Sequence, residues 1–452
     1  MIVDYFIIGK GKPENWSPTA GINWAAIIAL AIGIVASLFI PVGIESVNGI
    51  ILAAIALLIL RKIMPKPEIA NLEAIDEEKK PESRIFTMRK LSKQEVIDII
   101  YGCTVLGTGG GGSLEGGLDI IKSDFEAGRS FVLASLDEIP DEEYVACPYV
   151  CGSVSPLTPE EEEKYAGLPS MDVTEAVRAF QTMEEYLGKS FFGIISTELG
   201  GENTADAFHV AALMGKPIVD ADPAGRSVPE LQHSTFYINN VPITPMAIAT
   251  PFGDTAIINN VVNDFRAEAL VRAMACVSKN MIGVVDHPTT GAVLKKSVIP
   301  GAITYALEVG KALRLANEAG RDPAEDIVNT GSGKVLFRGM VSDFQWDTVD
   351  GFTVGDVTLN GTDEFKGHTY KVWFKNEHIV SYRDGVVDVT VPDLICVIDK
   401  NGVPVTNPFY EKGMDLVVFA LPAPKEWTTA RGLDVFGPRS FGFDFDYTPF
   451  KR

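Results

Sequence analysis

The hydrophobic pattern changes character along the chain, and each change marks a new part. Residues 24–40 (WAAIIALAIGIVASLFI) are uncharged, and after Pro41, Glu45 and Asn48 a second uncharged run, residues 49–60 (GIILAAIALLIL), ends at Arg61-Lys62. Extended through Asn23 and Ser46, both runs approach the roughly 17–25 residues that span a bilayer. Neither shows the polar stripe that a core helix turns to water, so a membrane-type helical hairpin is expected over residues 1–64. A buried helical pair in a soluble core is the competing reading. Lys10 and Lys12 precede the runs, Arg61, Lys62 and Lys66 follow them, and the turn between has no basic residue. That asymmetry places both ends, and all that follows, on the cytoplasmic side of the inner membrane. Residues 65–84 combine three prolines with dense charge and no apolar period, the pattern of a solvated linker.

The body begins near Ile85. Ser92 and Glu95 form a capping-box pattern ahead of the apolar face Val96, Ile97, Ile99 and Ile100, predicting a helix that stops at Gly102. Apolar runs at 131–136, 143–150, 191–197 and 217–222 then alternate with amphipathic stretches near 114–127, 172–187, 203–215, 264–279 and 299–319. Strands alternating with helices of this length predict an α/β domain over 85–330 with a largely parallel sheet. Beyond Gly331 the runs become short and alternating, joined by Gly, Asp-Gly and Asn-Gly turns, which predicts a smaller all-β domain over 331–452.

Charge narrows the partners. The 452 residues carry 39 Lys and Arg against 60 Asp and Glu, a formal net charge of −21, which repels polyanions and argues against nucleic acid. Mean hydropathy is nonetheless +0.14, because the apolar excess is concentrated near the N-terminus, while nearly all the net charge belongs to the body. Five cysteines, odd in number and widely spread, fit a reducing compartment. Cys147 and Cys151 could form half a metal site, but no second pair lies at zinc spacing, and buried structural thiols are the preferred reading.

Two stretches have the composition of a site. Thr108, Gly109, Gly110, Gly111, Gly112 and Ser113 lie between two helices, where successive amides can converge on a carboxylate or a developing oxyanion; a flexible connection is the alternative. The second constellation follows two apolar strands: Glu198 and Asn203 after the first, Asp220, Asp222, Arg226, Glu230 and His233 after the second. Open α/β sheets place active sites just past their strand ends. Crowded carboxylates there tune one another's acidity or hold a cation, and an Arg orients an anion. Asp286-His287 ends another apolar run and follows the same logic, whereas His209 reads as a core or surface residue and His368 and His378 as surface positions. No G-x-S-x-G elbow, H-E-x-x-H motif or dinucleotide fingerprint with its downstream acid is present.

Two resemblances follow from these residues. Residues 4–12 (DYFIIGKGK) with Ile22-Asn23-Trp24-Ala25 resemble the last two helices of the cytosine, allantoin and hydantoin permeases. The glycine run 107–112, Glu198 to Asn203, Asp220-Ala221-Asp222 and residues 225–232 (GRSVPELQ) resemble the DUF917 family, whose named activity is S-methyl thiohydantoin desulfurase. Lys375-Asn376-Glu377, residues 391–395 (VPDLI) and residues 437–442 (GPRSFG) are similar to that family's β domain, although His233 stands where the family usually has an apolar residue, often Met, and Pro223-Ala224 where it often has Gly. The resemblance implies hydrolysis of a five-membered cyclic ureide or thio-analogue: water attacks the ring carbon between the nitrogens and a thiol leaves. Asp222, Glu198, Asp220 and His233 would be the catalytic set, with Thr108, the four glycines, Asn203, Arg226 and Glu230 binding substrate. A divalent metal such as zinc would fall to Asp220, Asp222, His233 or His287. A homo-oligomer is expected. Ring-opening amide hydrolysis and a non-enzymatic ligand-binding domain attached to a permease remnant remain the alternatives.

Overall fold

The computed structural model describes residues 24–39, 45–63, 88–152 and 157–451. They fall into two compact units, residues 1–85 and 86–452. In the first, the helices Trp24–Phe39 and Glu45–Ile63 meet through Ala29 and Leu57. Neither is long and apolar enough to cross a membrane. Sixteen helical residues rise only about 24 Å against a hydrocarbon core of about 30 Å. The second helix reaches 19 residues only by taking in Glu45 at one end and Arg61-Lys62 at the other. The membrane-type hairpin is therefore not supported. The linker expected at 65–84 and most of the permease-like residues lie outside the described residues.

In the second unit the Ser92 capping box forms as the pattern requires: Ser92 Oγ accepts from the Glu95 amide at 3.2 Å, and Glu95 Oε2 accepts from the Ser92 amide at 2.8 Å. The helix Lys93–Leu106 then passes through Gly102 instead of stopping there. Gly102 is a packing residue, since a Cβ on it would come within 1.8 Å of the Ala306 carbonyl oxygen. Across the same contact a Cβ on Gly310 would meet the Asp98 carbonyl at 1.8 Å. The helices Lys93–Leu106 and Ala302–Glu318 thus approach backbone to backbone, one glycine from each.

The first sheet has eight strands: β1 (Arg89–Lys90), β2 (Val132–Ala134), β3 (Tyr144–Gly152), β4 (Gly193–Ile194), β5 (Ile218–Val219), β7 (Met246–Ala249), β8 (Thr255–Ile258) and β9 (Met281–Thr290). Its order is β1-β2-β5-β4-β3-β9-β7-β8. The inner strands β2, β5, β4 and β3 are parallel, and β1, β9, β7 and β8 add on antiparallel. The sheet is therefore mixed, because residues 246–290 return as neighbouring antiparallel strands where a crossover helix would have kept the direction. A separate ribbon pairs β6 (Ala221–Asp222) with β10 (Ile299–Pro300).

The second sheet is antiparallel throughout: β11 (Lys334–Val349), β12 (Phe352–Gly361), β13 (Thr369–Lys375), β14 (Glu377–Arg383), β15 (Val386–Thr390), β16 (Leu394–Asp399) and β17 (Asp415–Leu421), in the order β15-β14-β13-β12-β11-β17-β16. Asp350-Gly351 and Asp384-Gly385, all at positive φ, make its two-residue turns. Leu394, Cys396, Phe419 and Leu421 from this sheet share one core with Ile99, Ile303 and Phe208 from the helices. That shared core fixes the position of β14 against the glycine loop.

Candidate active site

The ends of β3, β4, β6 and β9, the glycine loop and the start of β14 surround a cavity of about 710 Å³. Glycines 109–112, Glu198, Asn203, Glu230, His233 and His287 line it, so the structure brings most of the expected residues together. Thr108, Asp220, Asp222 and Arg226 do not reach it.

The glycine loop is wedged between three elements. The Gly109 carbonyl accepts from the Asn407 amide at 2.7 Å, and the Gly111 carbonyl from the amides of Glu202 and Asn203, which open the helix Gly201–Met214. A Cβ on Gly110 would meet Glu377 Oε1, and one on Gly111 would meet the Gly200 backbone at 2.6 Å. Gly109, Gly111 and Gly112 adopt φ of +74° to +89°, a region costly to residues with a Cβ. The amides of Gly111 and Gly112 donate to no acceptor among the described residues, and both glycines line the cavity.

Glu198 is the centre of the arrangement. Its backbone is left-handed, at φ +50°, a conformation held by its surroundings and common at functional sites. Its Oε1 accepts from Asn203 Nδ2 at 2.6 Å, and its Oε2 from the Val228 amide at 2.8 Å and Ser227 Oγ at 3.2 Å. Glu377, from β14, is its buried neighbour, with Oε2 lacking any partner. Burial, then the charge of Glu377, pushes the Glu198 carboxyl well above the ordinary range. Burial likewise pushes Glu377 up to about 8 against the opposing pull of Arg226. Two such carboxyls cannot both ionise at neutral pH, so the pair retains a proton there.

Arg226 is fully buried and supports the site from behind. Its Nη2 donates to Thr108 Oγ1 at 2.6 Å and to the His378 carbonyl at 3.2 Å, its Nη1 to the carbonyls of Pro392 and Asp393, and it packs on the Phe436 ring. One guanidinium therefore ties the glycine loop to β14. Asp222 Oδ1 accepts from the amides of Ala224 and Gly225, closing a turn, and burial pushes its carboxyl up to about 7. Both Asp220 oxygens are taken by Thr304, on the amide at 2.9 Å and Oγ1 at 2.5 Å, which caps the helix Ala302–Glu318. Glu230 is paired with Lys375 and Gln232.

His233 packs on Phe436 and Phe441, its Nδ1 has no partner, and burial lowers its pKa to about 3, so it is a neutral ring at working pH. His378 is not at the surface. It is fully buried, with Nδ1 on the Ile395 carbonyl at 2.7 Å and Nε2 on Tyr410 Oη at 2.8 Å, because β14 enters the junction between the sheets. Of the side chains weighed as zinc ligands, only His233 and His287 share the cavity. No group of three or more His, Cys, Asp or Glu side chains among the described residues is placed to hold a metal.

Several cavity residues carried no signal as site residues in the sequence. Glu377, Asn407 and Thr353 come from the β part, and Tyr149, Glu268 and Arg272 from an inner strand and a helix. Glu377 lay in a stretch quoted only for its resemblance. Its placement depends on the tight turn at Asn376, whose φ is +57°.

Comparison with known proteins agrees with this architecture. A family model described as the S-Me-THD-like N-terminal domain matches residues 94–260, and one described as the S-Me-THD-like C-terminal domain matches residues 262–450. No curated protein matches. A crystal structure of a protein from Chromobacterium violaceum superposes with a TM-score of 0.63 at 20% identity, covering 80% of this chain and 99% of that one, a likeness of fold. With both halves matched in order across the cavity that they jointly build, the chain belongs to the S-Me-THD-like family, a family of hydantoin-related enzymes.

Proposed function

We propose that the protein is a hydrolase of a five-membered cyclic ureide or its sulfur analogue, replacing a thioether substituent on the ring carbon between the two nitrogens by oxygen and releasing a thiol. The observation that carries this reading is the Glu198/Glu377 pair, buried beside an amide-lined glycine loop in a cavity large enough for a substituted ring. A cyclic ureide alternates N–H donors with C=O acceptors around a small ring. The site supplies the complement: carboxylate acceptors at Glu198 and Glu377, free amide donors at Gly111 and Gly112, and the unpartnered Asn407 Oδ1. The protonated member of the pair donates to a ring nitrogen, which makes the adjacent carbon a better electrophile, and the ionised member orients an N–H. The loop amides stabilise negative charge that develops as water adds. Arg226 acts through Thr108 and β14 by holding the two faces of the site together.

The test is turnover by the purified full chain of a 2-methylthio-imidazolone, the S-methyl thiohydantoin ring, and of hydantoin. Release of methanethiol with the ring retained supports the reading. Ring opening would instead make it an amidohydrolase, and binding without turnover would make it a ligand-binding protein. Glu198→Gln and Glu377→Gln should each lower turnover by 10²-fold or more, the usual order for loss of an acid–base group.

A further inference from the structure

In the same cavity as the carboxyl pair, three side chains form a chain that the reading above does not use. His287 Nδ1 lies 2.9 Å from Asp286 Oδ1, and Asp286 Oδ2 accepts from Tyr149 Oη at 2.9 Å. All three residues line the cavity. Burial, then the charge of Asp286, pushes the Tyr149 hydroxyl well up, so it stays protonated and donates. A carboxylate on Nδ1 fixes the tautomer with the proton there, leaving Nε2 as a lone pair. That Nε2 is buried and has no partner. The ring is held flat on Phe236, centroids 4.4 Å apart at 17°, and its backbone is forced to φ +42° inside strand β9. An unused lone pair on a clamped ring, in a backbone conformation a β-strand does not ordinarily adopt, is an arrangement that folding alone does not require.

We propose that His287 is the general base for the attacking water, with Asp286 and Tyr149 as positioning residues. The inference rests on the hydrolase reading above. Nε2 takes one proton from water as its oxygen bonds to the ring carbon, while the C=N electron pair moves to the ring nitrogen and takes the proton of the Glu198/Glu377 pair, giving a neutral tetrahedral adduct, an imidazolium and an ionised pair. The C–S bond then breaks with its electron pair going to sulfur, the imidazolium gives its proton to that sulfur, and the adduct hydroxyl returns its proton to the Glu198/Glu377 pair as the carbonyl forms. Ring and water become a ring carbonyl and a thiol, and His287 ends neutral as it began. Asp286 stabilises the transient cation. Asp264, which interacts electrostatically with His287 and whose Oδ2 is also unpartnered, adds a second negative neighbour.

Two measurements on the full chain test this. Diethyl pyrocarbonate followed by peptide mass mapping reads the lone pair without any substrate. His287 should be modified in the wild type far faster than His378, whose two nitrogens are both engaged, and at least tenfold more slowly in Asp286→Asn, where the tautomer is no longer enforced. Kinetics on the 2-methylthio-imidazolone should show kcat down about 100-fold or more in His287→Gln with KM within a few-fold, and a smaller kcat loss at constant KM in Tyr149→Phe. Added imidazole should restore part of the rate to His287→Gly. If His287 is as inert as His378, or His287→Gln keeps wild-type kcat, the inference is overturned while the hydrolase reading stands. If the wild type turns over neither ring compound, the hydrolase reading falls and takes this inference with it.

Discussion

A methyl group on Gly110 would overlap Glu377: the Cβ would lie 1.9 Å from Oε1 and 2.6 Å from the carboxyl carbon. The glycine loop and the second sheet touch at the carboxylate itself. Gly110→Ala should therefore displace Glu377 more than it unfolds the chain. The expected result is a fall in turnover on the order of 10²-fold, as for a misplacement of about 1 Å, with overpacking costing about 1–3 kcal/mol in a denaturant titration. A variant with wild-type kcat would show that the carboxylate position is not critical.

Arg226→Lys keeps the charge but cannot reach Thr108 Oγ1, the His378 carbonyl and the 392–393 carbonyls together. Leaving buried acceptors unpaired costs about 1–3 kcal/mol each in the worst case, so a clear drop in the melting temperature is expected, with activity lost as the loop parts from β14. An unchanged melting curve would contradict the tying role.

The carboxyl pair sets a pH dependence with a definite sign. Glu377 is raised from 4.5 to about 8 and Glu198 moves the same way. A raised carboxyl binds more protons in the folded state, so the Glu377 contribution is complete below about pH 4.5, declines as pH rises, and is gone above about 8, with Glu198 acting in the same direction. The slope approaches about 1.4 kcal/mol per pH unit for one group. Chemical denaturation between pH 5 and 8 should show stability declining for the wild type and a shallower decline for Glu377→Gln. Turnover should fall as pH passes about 8, when Glu377 ionises.

Asp220 gives the contrasting case. Both its oxygens serve Thr304 at the start of Ala302–Glu318, so Asp220→Ala should cost about 1 kcal/mol, the usual value for a lost helix cap. KM and kcat per folded molecule should stay at wild-type values; a large kcat loss would return Asp220 to the catalytic set.

Asp220 also shows why part of the site could be read from residues and part could not. Strand-end polar clusters are visible because apolar runs end where they begin, and this logic singles out Glu198, Asn203, Glu230 and His287, all of which line the cavity. It cannot tell a carboxylate that faces the cavity from one that turns back to cap a helix, since Asp220 and Glu198 occupy equivalent places in the pattern. The glycine loop was legible for the same local reason. Glu377 was not, because its approach to Gly110 depends on the packing of the second sheet on the helix layer, a relation among residues nearly 270 positions apart in sequence. His378 was misplaced with it, since a strand entering a junction between sheets loses its solvent face without changing its alternation. At Gly102 the helix-stop rule gave way to close helix packing.

Glu198 lies in the half of the chain matched by the N-terminal family domain and Glu377 in the half matched by the C-terminal one. Apart, Glu198 would lose the neighbouring charge of Glu377 that adds to the effect of its burial, and the two could not share a proton. The shared proton is thus a product of assembly: on the proposed mechanism an incompletely docked molecule is inactive, and the onset of activity during refolding would date the moment at which the two halves close.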